Sequence, residues 1–344
     1  MPVLLTIGLP VYNSMPYLRE AVDSLLAQTV STFKILAIAD DCSDGSLEYL
    51  DSVRDPRLRI VRRPKLGLTS ALNRMLHEID TPWLVRQDTD DISYPTRVER
   101  VLEHINRFPN AGMFYSLADY HPKDQCLGQF RCSRGSPEEL RRLVESGYLL
   151  SFCHPSVILN KEKTLAIGAY RENFHVEDAD LWWRMALAHE IRFIPAALVG
   201  YRQNSCSLTS HNLVRQHVEG LYVQYCLLSH LWSLPRRPFE QVKQGLESFV
   251  RMEDLNAKEH LRTVNMLLAQ RKYFSAAPAA LRCWMASPRF LIRRMLDEVH
   301  LSGMICNGVN PKFYLQRKDE FWPSPSRVSD LYEGRSSTTC PQYD

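Results

Sequence analysis

None of the nine cysteines, at positions 42, 126, 132, 153, 206, 226, 283, 306 and 340, forms a C-x-x-C pair. That absence disfavours a structural zinc site. The odd count and scattered spacing fit buried thiols in a reducing cytosol better than a disulfide framework. No G-x-G-x-x-G occurs, which disfavours dinucleotide binding, and no G-x-x-x-x-G-K-[ST] occurs, so there is no P-loop. No uncharged apolar run approaches the ~20 residues that a membrane span needs. The nearest, Leu221 to Leu234, is broken by Gln224 and His230. The start, MPVLLTIGLPVYN, has no basic stretch before its short apolar run and does not read as a signal peptide. Excess charge is also lacking: 42 Lys and Arg against 39 Asp and Glu leave a net +3, which argues against a dedicated nucleic-acid binder. No internal repeat is visible.

What is present is an ordinary globular composition, 45% hydrophobic and 24% charged over 344 residues. That length supports one large core with an appendage. Up to about residue 121, strand and helix signals alternate. VLLTIGLPV, FKILAIAD, RLRIVR, WLVRQ and AGMFYSLADY read as strands. Between them lie helical faces: Leu18, Ala21, Val22, Leu25 and Leu26; then Leu68, Leu72, Met75, Leu76 and Ile79; then Val98, Val101, Leu102 and Ile105. Short connections between such elements predict an α/β fold, a mainly parallel sheet flanked by helices. Ligands of such sheets bind outside the carboxyl ends of the strands. Further on, SPEELRRLVESG opens with a capping-box pattern at Ser136 and Glu139. HPSVILN and IRFIPAALVGYR read as strands and VEDADLWWRMALAHE as a helix. The expected organisation is an α/β domain at 1–205, a helical C-terminal region at 206–318 and a loose, Pro- and Ser-rich tail at 319–344.

The stretch VRQDTDDISYP places Asp88, Asp90 and Asp91 within four positions at a strand end. Like charges that close repel, unless a solvated loop screens them or a cation faces them. A hard divalent metal shared with a phosphate is the sharper of those readings. Asp40 and Asp41 end another strand, and a carboxylate at Asp41 can accept the N–H of a nucleobase. Ser43, Asp44 and Gly45 beside it read as turn chemistry. Arg62, Arg63 and Lys65 precede Gly67 and a helix start, where free N–H groups could face a diphosphate; a solvated basic loop explains them as well. Glu177, Asp178 and Asp180 open a helix. Acids there complement the helix dipole, while the Trp182-Trp183 pair and His154 upstream suit a carboxylate acting as general base for an acceptor hydroxyl.

In this order, PVYN at 10–13, DDCSDGS at 40–46, DTDD at 88–91, HPSVI at 154–158, EDADLWWR at 177–184 and YR at 201–202 resemble family 2 glycosyltransferases, an inverting group of GT-A type fold. The resemblance covers roughly residues 3–210. It implies that Pro10 and Asp41 line a nucleobase pocket shaped by Tyr12 and Asn13, with Lys65 and Gly67 near the nucleotide. It implies that Asp88 and Asp90 form the D-x-D that holds Mg²⁺ or Mn²⁺ and the ribose, extended by Asp91; which of Asp90 and Asp91 meets the metal stays open. Asp178 matches the catalytic base and Glu177 its neighbour. His154 and Trp182 fall on the acceptor side and Arg202 near the diphosphate. Donor and acceptor would be a nucleotide-diphosphate sugar, carrying UDP or dTDP, and a glycan or lipid-linked glycan in cell-surface polysaccharide assembly. Residues 206–318 lie outside the resemblance; there LPRRPF at 234–239, RKYF at 271–274 and RFLIRRM at 289–295 mix cations with aromatic and aliphatic residues, which suits amphipathic helices with solvated cations or, alternatively, attachment to an anionic membrane surface. A cytoplasmic location, at the inner membrane face on the second reading, is expected. Two departures stand out: Asn204 replaces a common His, and Arg86-Gln87 precede the D-x-D where apolar residues are usual. Two rivals fit less well. A receiver-type signalling domain has no use for the EDADLWW helix, and a sugar nucleotidyltransferase needs an early Gly-rich phosphate loop.

Overall fold

The computed structural model describes residues 3–122, 128–172, 176–202, 213–299 and 305–323. Strands β1 (Leu5–Val11), β2 (Lys34–Asp40), β3 (Leu58–Arg63) and β4 (Trp83–Arg86) pair in parallel, in the order β3-β2-β1-β4. Beyond β4 the same sheet continues with β8 (Val157–Asn160), β6 (Met113–His121), β9 (Ile191–Arg202) and β5 (Ile92–Ser93). There β8 runs antiparallel to both neighbours, β6 and β9 run parallel, and β5 is antiparallel to β9. The fold is therefore the expected α/β sheet of GT-A type, parallel in its first half and mixed in its second. Pro195 has no N–H to give, and the register slips beside it between Ser116 and Leu117.

Alternation along each strand divides the core in two. Trp83 and Val85 of β4 join Leu5, Ile7, Phe114 and Ile158 under helices α1 (Leu18–Leu26) and α4 (Arg97–Arg107). Leu84 joins Leu36, Ile38, Val157 and Leu159 under α3 (Leu68–Glu78) and α7 (Glu177–Ala188). Each fully buried aliphatic side chain contributes about 1.5–3 kcal/mol. Gly8 is required where β1 meets α3: a Cβ there would lie 2.7 Å from Leu84 Cδ1 and 2.8 Å from Met75 Sδ. The remaining described α-helices of the sheet domain are α2 (Ser46–Ser52), α5 (Pro137–Glu145) and α6 (Lys161–Ala166). The capping box of α5 forms as read, with Glu139 N donating to Ser136 Oγ at 3.2 Å and Ser136 N to Glu139 Oε2 at 2.7 Å.

The C-terminal region is helical: α8 (Leu213–Leu231), α9 (Phe239–Glu247), α10 (Met252–Ala269), α11 (Tyr273–Ala286), α12 (Pro288–Val299), α13 (Pro311–Gln316) and α14 (Lys318–Phe321). It is tied to the sheet domain by a strand too short to read from sequence, β10 (Cys306–Asn307), which pairs with β7 (Leu149–Leu150). Gln224 makes a second tie. Its Nε2 donates to Gly147 O at 2.9 Å and Val309 O at 2.7 Å, and its Oε1 accepts from Val309 N at 2.8 Å. The polar residue that interrupts the apolar run of α8 is thus a buried staple. Residues 319–323, read as the start of a loose tail, are packed instead: Phe321 and Trp322 are buried against Tyr225, Tyr314 and Trp232. Aromatic burial outweighs the polar composition around them. Residues 324–344, and the boundary expected near 205, lie outside the described residues.

Candidate active site

The parallel register sets the carboxyl ends of β2, β1 and β4 side by side. The loops that leave them are knitted together. Ser43 N donates to Asn13 Oδ1 at 2.8 Å, Met15 N to Asp44 Oδ2 at 2.8 Å and Ser14 N to Ser46 Oγ at 2.9 Å. Asn13 and Asp41 adopt positive φ, 44° and 54°, which Asn and Asp tolerate better than other non-glycine residues. The paired acids divide their labour. Asp40 is buried and accepts from Arg63 Nε at 2.9 Å, Leu66 N at 3.0 Å and Gly67 N at 3.0 Å. Asp41 is exposed. The Gly67 N–H expected to meet a diphosphate is therefore already occupied, because the carboxylate one residue before Asp41 closes that turn. Arg62 and Arg63 are likewise engaged, with Asp51 and Asp40. Lys65 remains on the surface, its Nζ 2.6 Å from Tyr12 Oη and beside the half-exposed Tyr12 ring. Tyr12 and the nearby charges of Asp40 and Asp41 raise its pKa. Pro10 is buried in β1 opposite Ile38.

The acid loop after β4 rests on two buried guanidinium groups. Arg86 donates to Gln87 O and to Asp88 Oδ1, both at 2.6 Å. Arg97 donates to Gln87 Oε1 at 2.6 Å, Ser93 Oγ at 2.8 Å, Arg86 O at 2.7 Å and Pro155 O at 2.6 Å. Burial lowers the Arg97 pKa to about 10, which still leaves it charged at neutral pH. Gln87 closes the loop by donating to Asp88 O and Asp91 O at 2.9 and 2.8 Å. Asp88 and Asp90 are partly exposed. Asp91, grouped with them as a metal ligand from sequence, is 1% exposed and turned inward, where its Oδ1 accepts from Arg202 N at 2.8 Å. Burial, then the charges of Asp88 and Asp90, hold its pKa well above the ordinary carboxylate value. Arg202 is also held by its side chain, donating to Asp90 O at 2.8 Å and to Glu20. It braces the loop, and Asn204 lies outside the described residues. Among the described residues, no three His, Cys, Asp or Glu side chains group closely enough to hold a metal by themselves.

Helix α7 begins with Glu177 and Asp178. Glu177 is buried, and desolvation followed by the charge of Asp178 pushes its pKa up to about 8. Asp178 is partly exposed; its Oδ1 accepts from Ala179 N at 2.7 Å, and its pKa is also raised, chiefly by desolvation. Arg86 and Asp88 act electrostatically on both carboxyls, the first lowering and the second raising their pKa values. That mutual influence marks the acid loop and the start of α7 as near neighbours. His154 completes the group, with one ring nitrogen 3.0 Å from Tyr170 Oη and the other 3.8 Å from Glu177 Oε1. Burial and the Arg86 charge drive its pKa well down, so the imidazole is neutral. Trp182, expected among substrate contacts, is 1% exposed and packs edge-on against His154 and near Phe152. It supports the site from behind. Asp180 is fully buried in a pair with Arg184 and Arg171.

The structure thus assembles two groups at neighbouring strand ends. Tyr12, Lys65 and Asp41 form one; Arg86, Asp88, His154, Glu177 and Asp178 form the other. Sequence reading missed Arg97 and Tyr170 and had no account of Arg86. The one signal available was the charge itself, an arginine in an otherwise apolar strand.

A sheet of this topology is a GT-A type fold. The fold is shared with S. aureus TarS, at a TM-score of 0.50 and 13% identity over 78% of this chain and 54% of that one. It is shared also with the mannosyltransferase PcManGT from Pyrobaculum calidifontis, solved with GDP-Man and Mn2+, at a TM-score of 0.50 and 13% identity over 97% and 89%. Residues 6–163, a little under half of the chain, match the profile described as "Glycosyl transferase family 2". Among curated relatives, the amylovoran biosynthesis glycosyltransferase AmsE of Erwinia amylovora is 28% identical over 195 residues, 55% of this chain and 71% of that protein. An uncharacterized glycosyltransferase of Rickettsia felis is 27% identical over 220 residues, 61% of this chain but only 36% of its own length.

Proposed function

We propose that this protein moves a sugar from a nucleotide-diphosphate donor to an acceptor hydroxyl with inversion at the anomeric carbon. The observation that carries the reading is the proximity of the acid loop to the start of α7: Arg86 holds Asp88 at 2.6 Å, both influence Glu177 and Asp178 electrostatically, and His154 lies 3.8 Å from Glu177. Asp178 is the more accessible carboxylate of its pair and takes the proton from the acceptor hydroxyl as that oxygen attacks. Glu177, kept protonated by burial, lowers the negative charge beside it. His154, neutral and fixed by Tyr170, lines the acceptor side. Asp41, Tyr12 and Lys65 engage the nucleotide end of the donor, with Asn13 holding their loop in place. No Ser or Cys nucleophile is needed for a direct displacement.

Mg²⁺ and Mn²⁺ take oxygen ligands and are commonly held by one or two carboxylates plus substrate phosphates. Asp88 and Asp90 fit that donor set, and the inward Asp91 does not. The metal would supply Lewis acidity toward the leaving diphosphate. The AmsE likeness favours a polysaccharide or lipid-linked glycan acceptor. Buried thiols outside disulfides at Cys132, Cys153, Cys226 and Cys283 favour a reducing compartment such as the cytoplasm.

A screen of nucleotide sugars, reading nucleotide release with Mn²⁺ or with chelator, tests the reading. Turnover of one UDP- or dTDP-sugar that stops with chelator is expected. Chelator-insensitive turnover would remove the metal, and no turnover of any donor would remove the activity.

A further inference from the structure

A helix on the surface of a globular domain usually carries one apolar stripe. Helix α11 carries two. Ala276, Ala279 and Cys283 form the buried stripe, and Cys283 Sγ donates to Ala257 O of α10 at 3.1 Å. On the opposite side, Phe274, Pro278, Leu281 and Met285 follow one another at spacings of four, three and four residues. Phe274 is 99% exposed, Met285 73% and Leu281 59%. Trp284 and, on α12, Ile292 are also exposed beside them. Nothing in the sugar-transfer chemistry uses these residues.

The charge around the stripe is mainly of one sign. From 271 to 299, the end of α12, the chain holds Arg271, Lys272, Arg282, Arg289, Arg293 and Arg294 against Asp297 and Glu298, so this segment alone is +4 in a chain whose net charge is +3. Arg271, Lys272, Arg282 and Arg289 are exposed. A second copy of the chain docked on this face would bring two such cationic surfaces together, which opposes self-association. A surface of anionic phosphates complements it.

We propose that the α11–α12 face docks on an anionic lipid bilayer, with Phe274, Leu281 and Met285 entering the interfacial layer and the flanking cations meeting lipid phosphates. No described helix is long and apolar enough to cross a membrane, so the contact is peripheral. The proposal sharpens the expected membrane contact to one face and one lipid class. It does not depend on sugar transfer, because binding is read without donor.

The test is sedimentation of the full chain with vesicles of phosphatidylcholine alone or mixed equally with phosphatidylglycerol, at low and high salt. Binding to the mixed vesicles, lost at high salt and weaker by roughly tenfold or more on neutral vesicles, is expected. Combining Phe274→Ser, Leu281→Ser and Met285→Ser, or combining Arg271→Gln, Lys272→Gln and Arg289→Gln, should each weaken it by roughly tenfold or more. Circular dichroism of both variants should match the parent. Equal binding to neutral and mixed vesicles overturns the proposal, as does no binding at low salt. So does self-association that the serine variant abolishes while vesicles stay unbound.

Discussion

The two halves of the molecule handle charge and grease in opposite ways. Up to residue 202 the chain buries Asp40, Arg86, Asp91, Arg97, Glu177, Asp180 and Arg184, while beyond it Glu219 is the single buried ionic residue among those described. Exposed large apolar side chains run the other way: Tyr12 and Leu66 in the first half, against Met252, Tyr273, Phe274, Leu281, Trp284, Met285 and Ile292, among others, in the second. Burying charge is costly unless partners are supplied, and proteins retain it mainly where chemistry needs shifted pKa values. The sheet half accepts that cost. The helical half has an aromatic core of Tyr225, Tyr314, Phe321 and Trp322 and leaves its spare apolar surface outward. One region is built to hold a reaction, and the other to hold the first region and meet something outside.

The largest effect should come from the charged half. Asp178→Asn is expected to lower kcat for transfer by about 10³-fold, within the range for loss of a general base, with donor Kd unchanged by calorimetry. Glu177→Gln should stay within about tenfold of the parent, since an amide mimics a carboxyl that burial keeps protonated. A profile of kcat/KM against pH should fall on the acid side, because the base must be ionised to accept a proton. Desolvation places that limb above the ordinary carboxylate value of about 4. Near-normal transfer by Asp178→Asn would move the base elsewhere.

Arg86→Ala comes next. It leaves Asp88 without its 2.6 Å partner and removes the cation that lowers both carboxyls of α7. Breaking one side of a buried pair costs about 3–5 kcal/mol, read as a shift in the urea midpoint. The acid limb of the pH profile should also move up. Gln224→Leu is the counterpart in the helical half. It removes three hydrogen bonds that join Gly147 and Val309 through α8, and about 2–3 kcal/mol of stability with them, without moving the pH profile. A pH shift in the Gln224 variant would mean the two halves are coupled more closely than their cores suggest.

Sequence reading went furthest where local pattern decides structure. The four parallel strands ended within one residue of where they were read, and the buried faces of α3 and α4 matched their 3.6-residue spacing. It failed where partners are distant. The antiparallel entry of β8 between β4 and β6 depends on pairings that no local pattern carries. Arg86 looked like a departure because its setting is supplied by Arg97, Tyr170 and Glu177, far along the chain. Asp40 and Asp41 could not be told apart by composition; strand alternation turned one inward to cap a turn and left the other exposed. Phe321 and Trp322 sat in a polar stretch whose burial partners come nearly a hundred residues earlier, as the Trp322 Nε1 bond to Ser229 Oγ at 3.0 Å records.

The smallest expected effect draws the contrast between the halves most sharply. Phe274→Ser, and the serine triple variant with Leu281 and Met285, should change stability by no more than about 0.5 kcal/mol, the range for surface substitutions that touch nothing. Such side chains lose little on truncation because folding removed little of their area from water. A buried aromatic of the same half behaves otherwise: Trp322→Ala, inside the cluster with Tyr225 and Trp232, should cost about 3–5 kcal/mol. If chemical denaturation instead found the stripe variant destabilised by more than about 2 kcal/mol, Phe274 and its neighbours would be packing residues. The outward surface of α11 would then be part of the core, and the two halves would no longer differ in what they leave exposed.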